Sequence, residues 1–214
     1  MTVAVCTGWG RLAWACGGGW TVAVATGLAL LASSAAAQNL PAGAQAGDLI
    51  FRLGTERISQ MVQAVDQGRF SHVGLLVGAP GQWQVLHATP SERPGQPDAV
   101  VLDPLAFFLA PERAQTHAVY QVQGASAQRR QQVVQWALSQ QGRPFQMLES
   151  QEGVYCTTLV WQAWQQAGLD LEVRFTSVML PVIGGNFLLP SALQASRHVQ
   201  LLPAPAVRTI TPPP

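Results

Sequence analysis

The sequence contains no lysine: its 12 cationic side chains are all arginine, set against 11 acidic ones. Charged residues are only 11% of the chain, and the arginines nowhere gather into a stripe. Nucleic-acid binding relies on a concentrated basic surface, so nucleic acid is excluded as a partner. The missing lysine assigns no function by itself. Cysteine is almost as scarce. Cys6 and Cys16 lie within the first 37 residues, and Cys156 stands alone in the rest. If that N-terminal stretch is removed, no internal disulfide can form. No internal repeat is visible either. What is present, in 214 residues of which 48% are apolar, is enough hydrophobic material for one domain with a real core.

The N-terminal stretch differs from the rest. No charge occurs from Leu12 to Ala37, and Thr21 to Ala32 is an apolar run. Arg11 precedes it, and Ala35-Ala36-Ala37 offers a small-residue cleavage site before Gln38. This is the pattern of an export signal. The expected layout is a signal peptide over 1–37, a domain over 38–202 and a Pro-rich disordered tail over 203–214. The expected destination is the periplasm or cell envelope. The uncharged run is also long enough to be an uncleaved anchor. A lone thiol kept in an oxidising compartment implies either deep burial or use.

Past a polar lead-in, Gly47-Asp48-Leu49-Ile50-Phe51-Arg52 reads as a turn and a strand. Thr55 is placed to cap a helix with Ile58, Met61, Val62 and Val65 on its apolar face, ending at Gly68. Ser71 to Gly78 and Gln82 to Thr89 read as two strands around a Gly-Ala-Pro-Gly turn. A four-residue loop pairs Val77 with Gln82 and sets His72 directly opposite His87, on one face. A slip of one residue would separate the rings.

Further on, residues 90–98 read as a polar loop and Ala99 to Leu102 as a short strand. Asp103 is expected as the N-cap of a short helix with Pro104 at its first position. His117 to Gln123 is a strand, and Ser126 opens a helix that Gly142 and Pro144 close. From Cys156 onward Leu159, Val160, Ala163 and Ala167 repeat on one helical face, with Gly168 after its end. Residues around Pro181, Gly184 and Gly185 read as irregular. A short helix from Pro190 and a strand near His198 to Leu202 complete the domain.

Cys156 thus occupies the first turn of a largely buried helix, where free N–H groups and the positive dipole end favour a thiolate. A nearby imidazole can form an ion pair with it and later protonate a leaving group. A third polar group must fix that imidazole's tautomer. Cys156, His72 and His87 supply the three residue types. The same trio is a legitimate zinc ligand set with one open position. His117 and His198 have no partner by spacing and are taken as structural.

The segments Gly47-Asp48-Leu49-Ile50, Ser71-His72-Val73-Gly74, His87 and Tyr155-Cys156-Thr157-Thr158-Leu159-Val160 resemble the circularly permuted NlpC-type papain-like cysteine hydrolases. The nearest branch is YiiX/YebB-like, with distant kinship to lecithin–retinol acyltransferase. The resemblance spans about Gly47 to Leu202, and the order His before Cys marks the permuted branch. It implies an α+β fold, a small antiparallel sheet packed against the helix that bears the nucleophile. It implies Cys156 as nucleophile, His72 as general base and acid, and His87 as the orienting residue. Many members carry Ser-Glu where this chain has Thr157-Thr158, and Glu where it has His87.

The expected reaction is acyl transfer from an amide or ester to water through a thioester on Cys156. The Cys156 backbone N–H is one oxyanion donor. Substrate candidates are cell-wall peptides and lipid acyl groups, and association with a membrane surface is compatible with either. No cofactor and no metal is expected. The alternatives are a non-catalytic wall- or lipid-binding module of the same fold, and the zinc site.

Overall fold

Leu49 to Gly54, apolar on both faces, forms strand β1 at the centre of a six-stranded antiparallel sheet. The structure is a computed structural model describing residues 40–147, 153–179 and 184–204. The expected signal segment lies outside the described residues, as does the expected tail beyond Ala204. Helix α1 (Arg57–Asp66) follows, then β2 (His72–Val77), β3 (Gln84–Thr89) and β4 (Ala99–Pro104). After α2 (Leu105–Phe108) come β5 (Ala114–Val122), α3 (Ala127–Ser139) and α4 (Cys156–Gln166). A hairpin of β6 (Thr176–Met179) and β7 (Gly184–Phe187), helix α5 (Pro190–Gln194) and β8 (Val199–Leu201) complete the described elements. The sheet order is β4-β3-β2-β1-β5-β8. This is the α+β arrangement expected, a permuted papain-like fold.

Side chains alternate across the sheet. Leu49, Phe51, Val73, Leu75 and Leu86 face α4, whose Leu159, Val160, Ala163 and Trp164 are fully buried against them. Ile50, Leu76 and Val85 face the other way, onto Leu105 and Phe108 of α2. Both faces are covered, so all six residues of β2 are buried. That is why the strand reads as one apolar run rather than an alternating one.

Gly47-Asp48 anchors the start of the sheet. The Asp48 carboxylate is fully buried and accepts from Arg130 Nη1 of α3 at 2.5 Å. Burial raises its pKa above the usual carboxylate value, against the pull of the arginine. Arg143 Nη2 donates to Gly153 O at 3.1 Å, Val100 N donates to Arg143 O at 2.9 Å, and Pro144 bridges to Ala99. The Gly142-Arg143-Pro144-Phe145 segment thus straps the approach to α4 onto β4.

Three local expectations are corrected. Thr55 does not cap α1; its hydroxyl donates to Glu112 O at 2.6 Å, and Glu56 takes the N-cap position without a side-chain capping bond. Asp103 does not cap α2: it belongs to β4, Pro104 is the N-cap, and a more favourable partner holds the carboxylate. The segment expected as irregular contains the β6–β7 hairpin, with Thr176 paired to Phe187; Pro181 lies outside the described residues. Ser126 does cap α3, accepting from Arg129 N at 3.2 Å.

Candidate active site

The hairpin register differs from the expected one by two residues. Val77 pairs with Gln84, Leu76 with Val85 and Leu75 with Leu86. His72 is therefore not directly opposite His87. A two-residue shift keeps the face, however, and a diagonal neighbour is still within reach of a ring. The structure brings the two together: His72 Nε2 lies 2.8 Å from His87 Nδ1. Continuing the register puts Gly74 across from His87. A Cβ on Gly74 would lie 2.4 Å from Val85 Cγ1 and 3.1 Å from His87 Cβ, so glycine here lets Val85 and His87 close on the strand.

Beyond His87 the chain of contacts continues. Its Nε2 lies 3.1 Å from Asp103 Oδ2 on β4, two residues along from Val101, which His87 faces across the strands. Asp103 Oδ1 takes Arg93 Nη2 at 2.7 Å. Burial alone would raise the Asp103 pKa, but the bonds from His87 and Arg93 outweigh it and hold the carboxyl below its usual range. Asp103 is therefore an anion and accepts a hydrogen bond from His87 Nε2–H. Burial lowers the pKa of His87, and burial, Arg52 and His87 together lower that of His72 well below 6.5. Both rings are neutral at pH 7. The hydrogen-bond network then assigns every proton. His87 Nδ1 must be an acceptor, so His72 Nε2 carries hydrogen and donates to it. This leaves His72 Nδ1 unprotonated, a base.

Cys156 opens α4 as expected and is 9% exposed. The backbone N–H of the preceding Tyr155 donates to Thr158 Oγ1 at 3.1 Å, and Thr157 Oγ1 donates to Leu188 O at 2.6 Å. The two threonines thus fix the helix start and tie it to the chain beyond β7. Cys156 and His72 line one cleft of about 300 Å³. No hydrogen bond joins them among the described residues. The expected thiolate is not the resting state. Burial pushes the thiol up to about 11, and the N–H groups of Val73, Thr157 and Cys156 itself, with the Arg52 charge, only partly oppose it.

Arg52, Glu92 and Arg93 also belong to the site's surroundings, and nothing in their sequence setting marked them. Arg52 Nη1 donates to Phe108 O at 3.0 Å, Nη2 pairs with Glu92, and the guanidinium lies over the Phe108 ring. Phe107 is sandwiched between Arg93 and Arg113, each 3.8 Å from its ring centroid. Asp103 is the most consequential addition. Its signal was parity: it follows Val101 by two, on the face His87 uses. The Asp-Pro pair, a common helix start, masked it. His198 pairs with Glu172 away from the cleft, and His117 lies in β5 outside it.

As a metal centre the arrangement does not fit. Atoms of His72, His87 and Glu92 approach one another within 4.8 Å, but Cys156 is not in that cluster. The facing histidine nitrogens share one proton, and the Glu92 carboxylate is engaged by Arg52 and Arg113. A cation would have to compete with these contacts for the facing nitrogens and the carboxylate.

A cysteine at a helix N-terminus and a histidine relay upstream of it, meeting in one cleft beside an antiparallel sheet, define a papain-like cysteine hydrolase of permuted order. The model of the permuted papain-like amidase family, YaeF/YiiX, C92, matches residues 43–180, and the chain belongs to that family. Among solved structures the chain is similar to one described as metalloprotein yiiX from Escherichia coli O157:H7. The TM-score is 0.63 at 20% identity, covering 75% of this chain and 97% of that one. At that identity the likeness shows the fold alone. No curated protein matches the sequence.

Proposed function

We propose that the protein is an exported cysteine hydrolase that cleaves an amide or ester of a cell-wall peptide or a lipid. The observation that carries this reading is the contact chain from Asp103 through His87 to His72, which ends in the cleft that Cys156 lines. His72 Nδ1 takes the thiol proton as Cys156 Sγ attacks the acyl carbon. The imidazolium formed is stabilised through His87 by the Asp103 anion and then protonates the departing amine or alcohol. The Cys156 N–H at the start of α4 faces the developing oxyanion. Water, deprotonated by the same ring, releases the acid and restores the thiol.

Because thiol and imidazole rest neutral, proton transfer accompanies attack instead of preceding it. Two pH profiles follow. Alkylation of Cys156 by iodoacetamide needs free thiolate, so its rate rises from neutral pH towards about pH 11 with no plateau near 7. Acylation by an activated ester instead persists at pH 7. It declines only when His72 becomes protonated, well below 6.5. The test is mass spectrometry of acylated Cys156 against pH, for wild type and His72→Ala. The histidine variant should lose acylation at pH 7 by about 100-fold or more. Equal acylation in both proteins overturns the reading.

A further inference from the structure

We propose that the Arg52–Glu92 ion pair is a second support of the base on its cleft side, two positioning residues whose opposite charges set how readily His72 accepts the thiol proton. This rests on the hydrolase reading above. Arg52 pairs directly with His72 across β1 and β2. Residues paired in this way share a face, and here Phe108 covers that face. The Arg52 guanidinium lies 4.4 Å from the Phe108 ring centroid. The His72 and His87 rings lie 5.8 Å and 5.0 Å from it. Phe108 is fully buried. Three groups able to carry positive charge thus crowd one apolar ring.

Glu92 is the counterweight. Its carboxylate pairs with Arg52, accepts from Thr89 Oγ1 at 3.0 Å and meets Arg113 Nε at 3.2 Å. Held this way and only 9% exposed, it comes within 4.8 Å of a nitrogen on each imidazole. Among the described residues neither ring hydrogen-bonds to it, so it acts on them by charge across space. Arg52 and Glu92 line the cleft that holds Cys156, whereas Asp103 does not. The relay therefore has one carboxylate behind it and another in front.

The remaining charges around the relay are few. Glu56 reaches Arg52 Nη2 at 3.4 Å, the exposed Arg57 of α1 lines the cleft, and Arg93 engages Asp103. Helix α4 brings Cys156, and α2 brings no charge. Arg52 opposes a positive charge on both imidazoles, and Glu92 favours one on His87. The cation thus keeps His72 free as a base at rest, and the anion lowers the cost of the imidazolium formed during attack. The proton itself leaves Cys156 Sγ for His72 Nδ1 as the S–C bond forms, and then passes to the leaving group. The ion pair gives and receives no atom.

The test follows acylation of Cys156 by 4-nitrophenyl acetate from about pH 4 to pH 8, read by mass spectrometry of the full chain. Arg52→Gln removes the cation and should move the acid decline up, towards neutral, by about 0.5 to 2 pH units, the effect of one charge at about 5 Å. Glu92→Gln removes the anion and should move the decline down, while slowing acylation at pH 7 by about 3- to 30-fold. Glu92→Asp keeps the charge and should recover most of that rate. Opposite shifts are what the two halves of a charge pair must give; a loosened fold moves both alike. Shifts of one sign, or none, overturn the pair and leave the hydrolase reading standing. If Arg52→Gln loses its native circular dichroism, the Glu92 variants decide, and equal loss in Gln and Asp overturns the pair. Failure of the ester to acylate wild-type Cys156 removes the hydrolase reading itself and the pair's role with it.

Discussion

Asp103 decides the protonation of both histidines. A carboxylate that accepts from His87 Nε2 selects one tautomer, and that choice passes through the 2.8 Å contact to His72. Replacing Asp103 with Asn leaves a group that can donate to Nε2 instead, which reverses the relay and protonates His72 Nδ1. Asp103→Asn should therefore lower kcat by roughly 10- to 100-fold with little change in KM, as loss of an orienting partner commonly does. Steady-state kinetics of the variant checks this, and wild-type kcat would show that the relay does not set the base. His87→Gln should cost less than His72→Gln, because an amide can still hold the first ring. Arg93 is 36% exposed, so solvent screens its pair with Asp103.

At the scale of elements, α4 was the most legible. Its apolar face, first residue and terminal glycine are all local features, and Gly168 does take the left-handed conformation after the helix, with φ of 76°. The two histidine-bearing strands were legible in kind and face but not in register. Loop length and residue pattern leave pairings two residues apart equally plausible, since both keep the same side chains inward. What broke the tie is tertiary: Val85 Cγ1 and His87 Cβ occupy the place a side chain on Gly74 would take. The β6–β7 hairpin was not legible, because two glycines in its second strand lower β propensity. Nor was Asp103, whose partner lies sixteen residues back. Gly74→Ala tests the tie-breaker. The added methyl must displace Val85 and press on His87 at its Cβ, so activity should fall by about 10-fold or more while the far-ultraviolet circular dichroism stays close to wild type. Unchanged activity would show that the strand relaxes without moving the relay.

At the scale of the molecule, the first described residues matter to the question of export. Leu40, Ala44 and Ala46 pack against the core on the α2 face of the sheet, and Ala44 N donates to Pro41 O at 3.1 Å in a turn. Among the described residues the folded domain is already under way at Leu40, three residues beyond Ala37. Among the described residues no helix is long and apolar enough to cross a membrane. N-terminal sequencing of protein recovered from the cell envelope should start at or next to Gln38. An intact Met1 would mean an anchor is retained.

The permuted order has a consequence in time. Residues 49–122 contain five of the six strands of the main sheet and every member of the relay, while Cys156 and the strand that closes the sheet edge, β8, come later. Chains fold from the N-terminal side as they are synthesised. On the proposed mechanism, a growing chain can therefore assemble its base and orienting residues while still lacking anything to attack with. The sulfur arrives on α4, and β8 then pairs Val199 with Val122. On the proposed mechanism the nucleophile is withheld until α4 has been delivered, so a chain interrupted before Cys156 lacks it.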